Sequence, residues 1–464
     1  MNVLNTFRSS MAGLLLLTGV GVARAQSFNL SVLHQFTAAQ YDGASPYSEV
    51  ILGADGALYG TTWSGGTNAS GVVFRMNRDR SGFSILHHFG HGNDGSTPFD
   101  GVIQGVDGFL YGTTYHGGTN GNGTIFKIGT NGLNYSVLYQ FTNSPDGANP
   151  YGGLIQGQDG ALYGTTKSGG SGPGTVFKIN TNGNNYAVLH SFTNFTDATT
   201  PMGQLVQTSN GMLYGTTYAG GASFIGTVFQ IDTKGQNYSV IHSFNGSSDG
   251  FSPESGLLVG QDGWLYGTTV SGGNSSGGSG TVFKLNTNGA GFTVLRTFTN
   301  SPDGANSYAR VTQGSDGYIY GVTANGGTTN NAGTIFRVNT DGANYSVLYR
   351  FNGGGDGEIP RAGLFTAGNG VFYGTAWEGG DTNAGFGTVY RLAVVPMLNL
   401  TFSNPSAPSL ILTGFANQSC QVQVSSNLIN WDFLTNVSLT NGSVQLMDVN
   451  ATNVAARFYR AVIP

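Results

Sequence analysis

The chain holds four glutamates, Glu49, Glu254, Glu358 and Glu378, and a repeated pattern assigns all four to one side of the molecule. At equivalent places in that pattern stand Tyr47, Glu49, Phe99, Asp100, Tyr151, Gln204, Glu254, Tyr308, Arg310 and Arg361. Gathered carboxylates suit cation binding, or acid/base cleavage of a polysaccharide by a hydrolase or lyase. Spread apart, they are solvated charge. A second set occupies one position after a Thr-Thr or similar pair: Trp63, Tyr115, Lys167, Tyr218, Val270, Ala324 and Trp377. Four of these are aromatic, with flat faces suited to sugar rings or to a protein partner, or to packing between neighbouring elements.

Other chemistry finds little support. Asp42, Asp94, Asp146, Asp197, Asp249, Asp303 and Asp356 sit in DGxxP-type segments and read as turn formers rather than calcium ligands. His34, His87, His190 and His242 share one repeat position and read as surface residues of an outer strand. His88, His91 and His116 follow no metal-site spacing. The sequence contains no GxSxG, HExxH or P-loop motif, and its only cysteine is Cys420. No metal and no cofactor is expected.

The elements that must position these residues come from internal repetition. The tyrosines Tyr59, Tyr111, Tyr163, Tyr214, Tyr266, Tyr320 and Tyr373, each followed by glycine, recur at spacings of 52, 52, 51, 52, 54 and 53. In step with them run a GTVFKIN-type segment, as at 174–180, and an SVLYQF-type segment, as at 136–141. Alternating β-branched and aromatic residues mark both as strands. Asp-Gly or Asn-Gly before each tyrosine motif predicts type I′ hairpins.

Each unit therefore has four strands, A to D. The pattern begins with a lone D strand at 28–36 and ends with a lone A-B-C set at 361–393, so the first strand can complete the last unit. This predicts an all-β fold, a seven-bladed β-propeller of four-stranded blades closed by the N-terminal strand, spanning 26–394. Residues 395–464 lack the repeat and predict a small β-sandwich-like domain, with Trp431 and Phe458-Tyr459-Arg460 as core and edge residues. Residues 1–25 have the charged start, apolar stretch and Ala23-Arg24-Ala25 end of a signal peptide.

The combination of LYGTT, a Gly-Gly pair, GTVFK and SVLY, seven times in order over 28–393, resembles the GloVer tandem-repeat family of exported bacterial proteins. The resemblance implies an exported propeller-like repeat region and a variable C-terminal region that attaches to the envelope. It implies no catalytic residue set.

With 77 glycines, 9% charged residues and a net charge of -5, the chain lacks the basic surface that nucleic-acid binding needs. The expected setting is periplasmic, cell-surface or extracellular, as a monomer with no transmembrane segment in the mature chain. The leading expectation is a binding module whose ligand, a glycan or an envelope protein, lies on the face carrying the longer D–A and B–C connections. Its site would draw on Trp63, Tyr115, Lys167, Tyr218, Trp377, Tyr47, Glu49, Asp100, Tyr151, Glu254, Tyr308, Arg310, Glu358 and Arg361. The alternatives are a polysaccharide-active enzyme using Glu49, Asp100, Glu254 and Glu358, and an architectural surface protein.

Overall fold

The computed structural model describes residues 27–463 apart from 40, 91, 194–196, 275–277, 381–384, 405–406, 416, 449–450 and 452–456; the expected signal peptide lies outside the described residues. Within them the chain is all-β, with no α-helix and a single 3-10 turn at Gly92–Asp94. No helix among them is long and apolar enough to cross a membrane.

One repeat shows how the others are built. Strands Ile103–Gln104, Leu110–Thr114, Thr124–Ile128 and Ser136–Gln140 pair antiparallel in that order. All five residues of Leu110–Thr114 are buried, because both sheet faces are covered by neighbouring sheets. Gly112 faces Phe126 across the ladder, and a Cβ there would lie 2.5 Å from Phe126 Cζ. The glycine after each repeat tyrosine thus makes room for the aromatic ring of the next strand.

Six of the hairpins between the first two strands differ from the expected type I′, which needs positive φ at two residues; the last has it, with Asn369 (φ 55°) and Gly370 (φ 72°) left-handed and Val371 N donating to Gly368 O. At 53–57 only Gly56 is left-handed (φ 78°), Gly56 N donates to Gly53 O, and Gly53 N donates to Ala57 O. This is a three-residue turn closed by glycine. Asp55 Oδ1 accepts from Ala57 N and so serves the turn with its side chain.

Among the described residues, six sheets of four strands and one of five follow this scheme. The one holding the chain's first strand joins sequence extremes: Ser27–Gln35 pairs antiparallel with Thr388–Val395, from Ser27 opposite Val395 to Gln35 opposite Thr388. The apolar core lies between sheets, each cluster uniting two successive units. Tyr111, Ile125 and Phe141, for example, meet Leu154, Leu162 and Phe177. Leu33, Phe36, Tyr373 and Val389 of the last sheet meet Val50, Leu58 and Phe74 of the first full unit. These features make a propeller-like repeat fold.

A polar ladder reinforces the seams and corrects the reading of the outer-strand histidines. His34, His87 and His242 are partly buried, with Nε2 at 3.2, 3.0 and 3.2 Å from Asp42, Asp94 and Asp249. Each ring also stacks on an aromatic of the following unit, Phe83, Tyr135 and Phe292, at 3.7, 3.7 and 3.9 Å. Tyr139 and Tyr349 bond Asp146 and Asp356 in the same way, and Arg296 pairs with Asp303. The DGxxP aspartates bind their own turns too, as where Thr142 N donates to Asp146. Their role is structural.

After the repeats, Met397–Asn404, Ala407–Thr413 and Ser443–Met447 form one three-stranded sheet, and Asp432–Leu439, Gln418–Ser425 and Phe458–Val462 another. They share a core of Leu410, Leu412, Cys420, Val422 and Tyr459. Tyr459 is the buried member of the tripeptide. Trp431 is not core but half-buried, with the Arg460 guanidinium 4.3 Å from its ring. Phe415 packs on Phe372, and Gln418 Nε2 donates to Val394 O, which ties these sheets to the last repeat.

If closure by the first strand holds the repeats together, Phe36→Ala, at a site with no solvent exposure, costs about 3–5 kcal/mol. A chain starting at Ala38 leaves Thr388–Val395 as an open edge and is expected to self-associate. Urea unfolding and gel filtration check both; an unchanged midpoint and a monomeric truncation would refute them.

Candidate functional site

The start of the first strand in every repeat converges on one small cavity. Its wall takes residues from each of 47–49, 99–100, 151, 202–204, 254–256, 308–310 and 361–363. The prolines at 46, 98, 150, 201, 253 and 360 precede these segments and present no N–H to a ladder. Short first strands of two paired residues, such as Ile51–Leu52, leave the preceding side chains free to point inward.

Two polar networks cross this mouth. Arg361 Nη1 donates to Tyr47 OH at 2.8 Å, Tyr47 OH lies 2.8 Å from Tyr151 OH, and Tyr151 OH donates to Glu254 Oε1 at 2.5 Å. Four repeats are thereby joined through side chains alone. In the other network Arg310 Nη2 meets Glu49 Oε1 at 2.5 Å, joining a fifth repeat to the first. Asp100 completes the polar floor: its Oδ1 accepts from Gly101 N at 2.7 Å and its Oδ2 from Gly153 N at 2.5 Å.

Burial sets the protonation chemistry. It pushes the Asp100 carboxyl up to about 6, with the charge of Glu49 as the second cause and the two backbone donors opposing. Burial also raises Glu254, against the Tyr151 hydrogen bond and the charges of Arg361 and Lys167. The Tyr47 and Tyr151 hydroxyls are raised by burial first and by Glu254 second, so both stay protonated donors.

Aromatic rings frame the polar centre. Phe99 stacks on Tyr151 at 4.7 Å and approaches Tyr115 at 4.8 Å and Trp63 at 6.3 Å. Trp377 lies 6.2 Å from Tyr47, and the Arg361 guanidinium sits 4.7 Å from the Trp377 ring and 4.4 Å from Tyr308. Lys167 Nζ is 5.6 Å from the Tyr151 ring. Arg361 Nε and Trp377 Nε1 are buried without hydrogen-bond partners. Trp63, Tyr115 and Trp377 are half-buried, and Tyr218 is 41% exposed.

The structure therefore brings together Tyr47, Glu49, Asp100, Tyr151, Glu254, Tyr308, Arg310 and Arg361, with Trp63, Tyr115, Lys167 and Trp377 around them. Glu358 is not at the mouth. It forms a backbone bridge with Glu378 in the D–A connection, and burial and the Glu378 charge raise its carboxyl. Tyr218 makes none of the ring contacts given above, but it lies near enough to Tyr308 to help raise that hydroxyl. Ser48, Met202 and Ser255 also line the cavity; their repeat positions match those of Asp100, Tyr47 and Asp100, which is the signal that finds them. Among the described residues no cluster of three histidines, cysteines, aspartates or glutamates has metal-holding geometry.

The cavity offers about 70 Å³, room for only a few waters. A sugar ring does not fit inside it and would have to lie across the mouth.

The repeat pattern decides the family. The Gloeobacter/Verrucomicrobia repeat matches residues 22–210 and 171–390. The chain belongs to this family. A search of the curated proteins found no match. Solved structures with a similar course include a protein provisionally named 6-phosphogluconolactonase from Bacteroides uniformis, with TM-score 0.44 and 13% identity over 68% of this chain and 86% of that one. A protein of the same provisional name from Bacteroides fragilis gives 0.47 and 14% over 86% and 98%. One of unknown function from Dyadobacter fermentans gives 0.43 and 13% over 79% and 99%. Likeness of that strength says nothing about activity here.

Asp100 gives a pH test. Its folded value lies above the ordinary 3.8, so the stability it contributes is complete below about pH 4 and is lost as pH rises through about 6. Asp100→Asn removes that slope. The difference in Tm, variant minus wild type, is expected to become more positive from pH 4 to pH 7 in calorimetry; a constant difference would contradict the raised value.

Proposed function

We propose that the chain is an exported seven-bladed β-propeller with a C-terminal β-sandwich-like domain, and that it binds a glycan across its aromatic mouth without cleaving it. The apolar clusters support the ring: each of seven seams, including last to first, joins neighbouring sheets. The two three-stranded sheets with a common core support the second domain. Residues 1–25 and the family resemblance support export.

The observation that carries binding is the arrangement around the small cavity. Trp63, Tyr115 and Trp377 flank a floor of tyrosine hydroxyls and guanidinium groups, while Glu49 and Glu254 already have internal partners. Aromatic faces beside hydrogen-bonding groups suit sugar rings, whose C–H faces are apolar and whose edges are hydroxyls. An envelope protein would use the same side.

A glycan array with the mature chain tests the reading. Binding to neutral glycans is expected, with Trp377→Ala and Tyr115→Ala each weakening it at least tenfold. No binding on the array, together with retained envelope association, would favour an architectural role. Release of reducing ends that Glu254→Gln abolishes would replace binding by catalysis.

A further inference from the structure

The larger cavity lies on the opposite side, among the short hairpins. A cleft of about 560 Å³ opens between the last sheet, the 77–81 turn and the C-terminal sheets. Its size is within the range of about 300–1,000 Å³ typical of small-molecule sites.

The repeats themselves supply the comparison that explains its chemistry. In the unit holding Tyr59, the tyrosine hydroxyl donates to Asp55 of the hairpin, and Arg75, opposite Tyr59 on the next strand, pairs with the same carboxylate at 3.0 Å. The sets Tyr111, Asp107 and Lys127; Tyr163, Asp159 and Lys178; and Tyr320, Asp316 and Arg337 repeat this arrangement. Around Tyr214 the aspartate is Asn210, and the cation is correspondingly Gln230, so no charge is left over. Around Tyr266 the hydroxyl donates to Asp262, but Lys284 opposite it donates to Thr340 O instead. The last repeat departs in another way, keeping the cation and losing the aspartate. Asn369 replaces the aspartate, yet Arg391 remains opposite Tyr373.

The turn backbone differs as well. Gly368, Asn369 and Gly370 are all left-handed (φ 77°, 55° and 72°), whereas only the glycine is so at 53–57. Arg391 and Tyr373 thus face the cleft without a carboxylate. Arg78 and Arg80, in a turn that in most other repeats carries no cation, line the same cleft. Among the described residues none of the three arginines has an ion-pair partner. The one acid in the wall, Asp79, is engaged by the Ser81 amide and hydroxyl.

We infer that this cleft binds a small sugar acid, whose carboxylate takes the place that the hairpin aspartate fills in other repeats, between Arg391 and Tyr373. Arginine suits a carboxylate because its planar donors match the two oxygens. Ser31, Asn369 and Ser419 offer partners to hydroxyls, and Leu33, Val371 and Ile463 an apolar wall. This goes beyond the mouth reading and does not depend on it.

Calorimetric titration of the mature chain with sodium glucuronate, glucose and inorganic phosphate at constant ionic strength is the test. Glucuronate is expected to bind and glucose not. Arg391→Met, which breaks no ion pair, is expected to weaken binding at least tenfold. Asn369→Asp places a competing carboxylate in the cleft, at a left-handed position aspartate tolerates, and is expected to do the same. The paired change Arg78→Ser with Arg80→Ser, on an exposed turn, should weaken it about threefold or more. Trp377→Ala should leave it unchanged. The inference is overturned if glucuronate does not bind, if Arg391→Met and Asn369→Asp bind as wild type, or if phosphate binds as tightly. Loss in Trp377→Ala but not in Arg391→Met would move the binding to the mouth and likewise overturn it.

Discussion

Antiparallel pairing of Ser27–Gln35 with Thr388–Val395 ties the two ends of the repeat region together. A linear stack of sheets would leave a hydrogen-bonding edge and an apolar face open at each end, and both are costly in water. With the pairing made, Leu33 and Phe36 enter the same core as Val50 and Phe74. Every inter-sheet cluster then has two sides. The buried Thr and Tyr of the inner strands, the stacked rings of the outer ones and the geometry of the mouth all presuppose that closure.

The mouth illustrates how a repeat makes room for function. Positions that serve the unit stay nearly invariant within this chain, such as the buried tyrosines and the glycines that admit an aromatic ring. The segment after the turn proline varies instead: Tyr47, Phe99, Tyr151, Met202, Glu254 and Arg361. Its charges are nevertheless matched across the opening, Arg310 to Glu49 and Arg361 through two tyrosines to Glu254. Three of these links couple non-adjacent repeats and the Arg361–Tyr47 bond joins the last to the first, so side chains that would carry recognition also brace the centre. The repeated hairpin triad follows the opposite logic. It is satisfied within most units, and the repeat that keeps the cation but loses the aspartate, at Asn369 and Arg391, lies beside the cleft of about 560 Å³.

The fold was legible in the sequence because its determinants are local and repeated. Strand patterning, the period and the phase offset of the first strand each depend on residues close in the chain or on simple counting. The type I′ expectation holds at Asn369-Gly370 and fails at the other six hairpins, because Asp-Gly or Asn-Gly also fits a three-residue turn and only φ at the residue before the glycine, as at Asp55, separates the two. The outer-strand histidines looked exposed because nothing within one unit covers them; the aromatic cover comes from the next unit.

The sequence alone determined the repeat, the strand order, the closing partner and the set of residues able to vary at the mouth. Tertiary structure alone decided which of those residues meet. Glu49 and Arg310 are 261 positions apart and Tyr47 and Arg361 are 314, and no local rule connects side chains at that distance. Their encounter depends on where a closed set of sheets brings each first strand. The same reason hid the cleft around Arg391: its walls come from the first repeat, the last repeat and the C-terminal sheets, which only packing brings together.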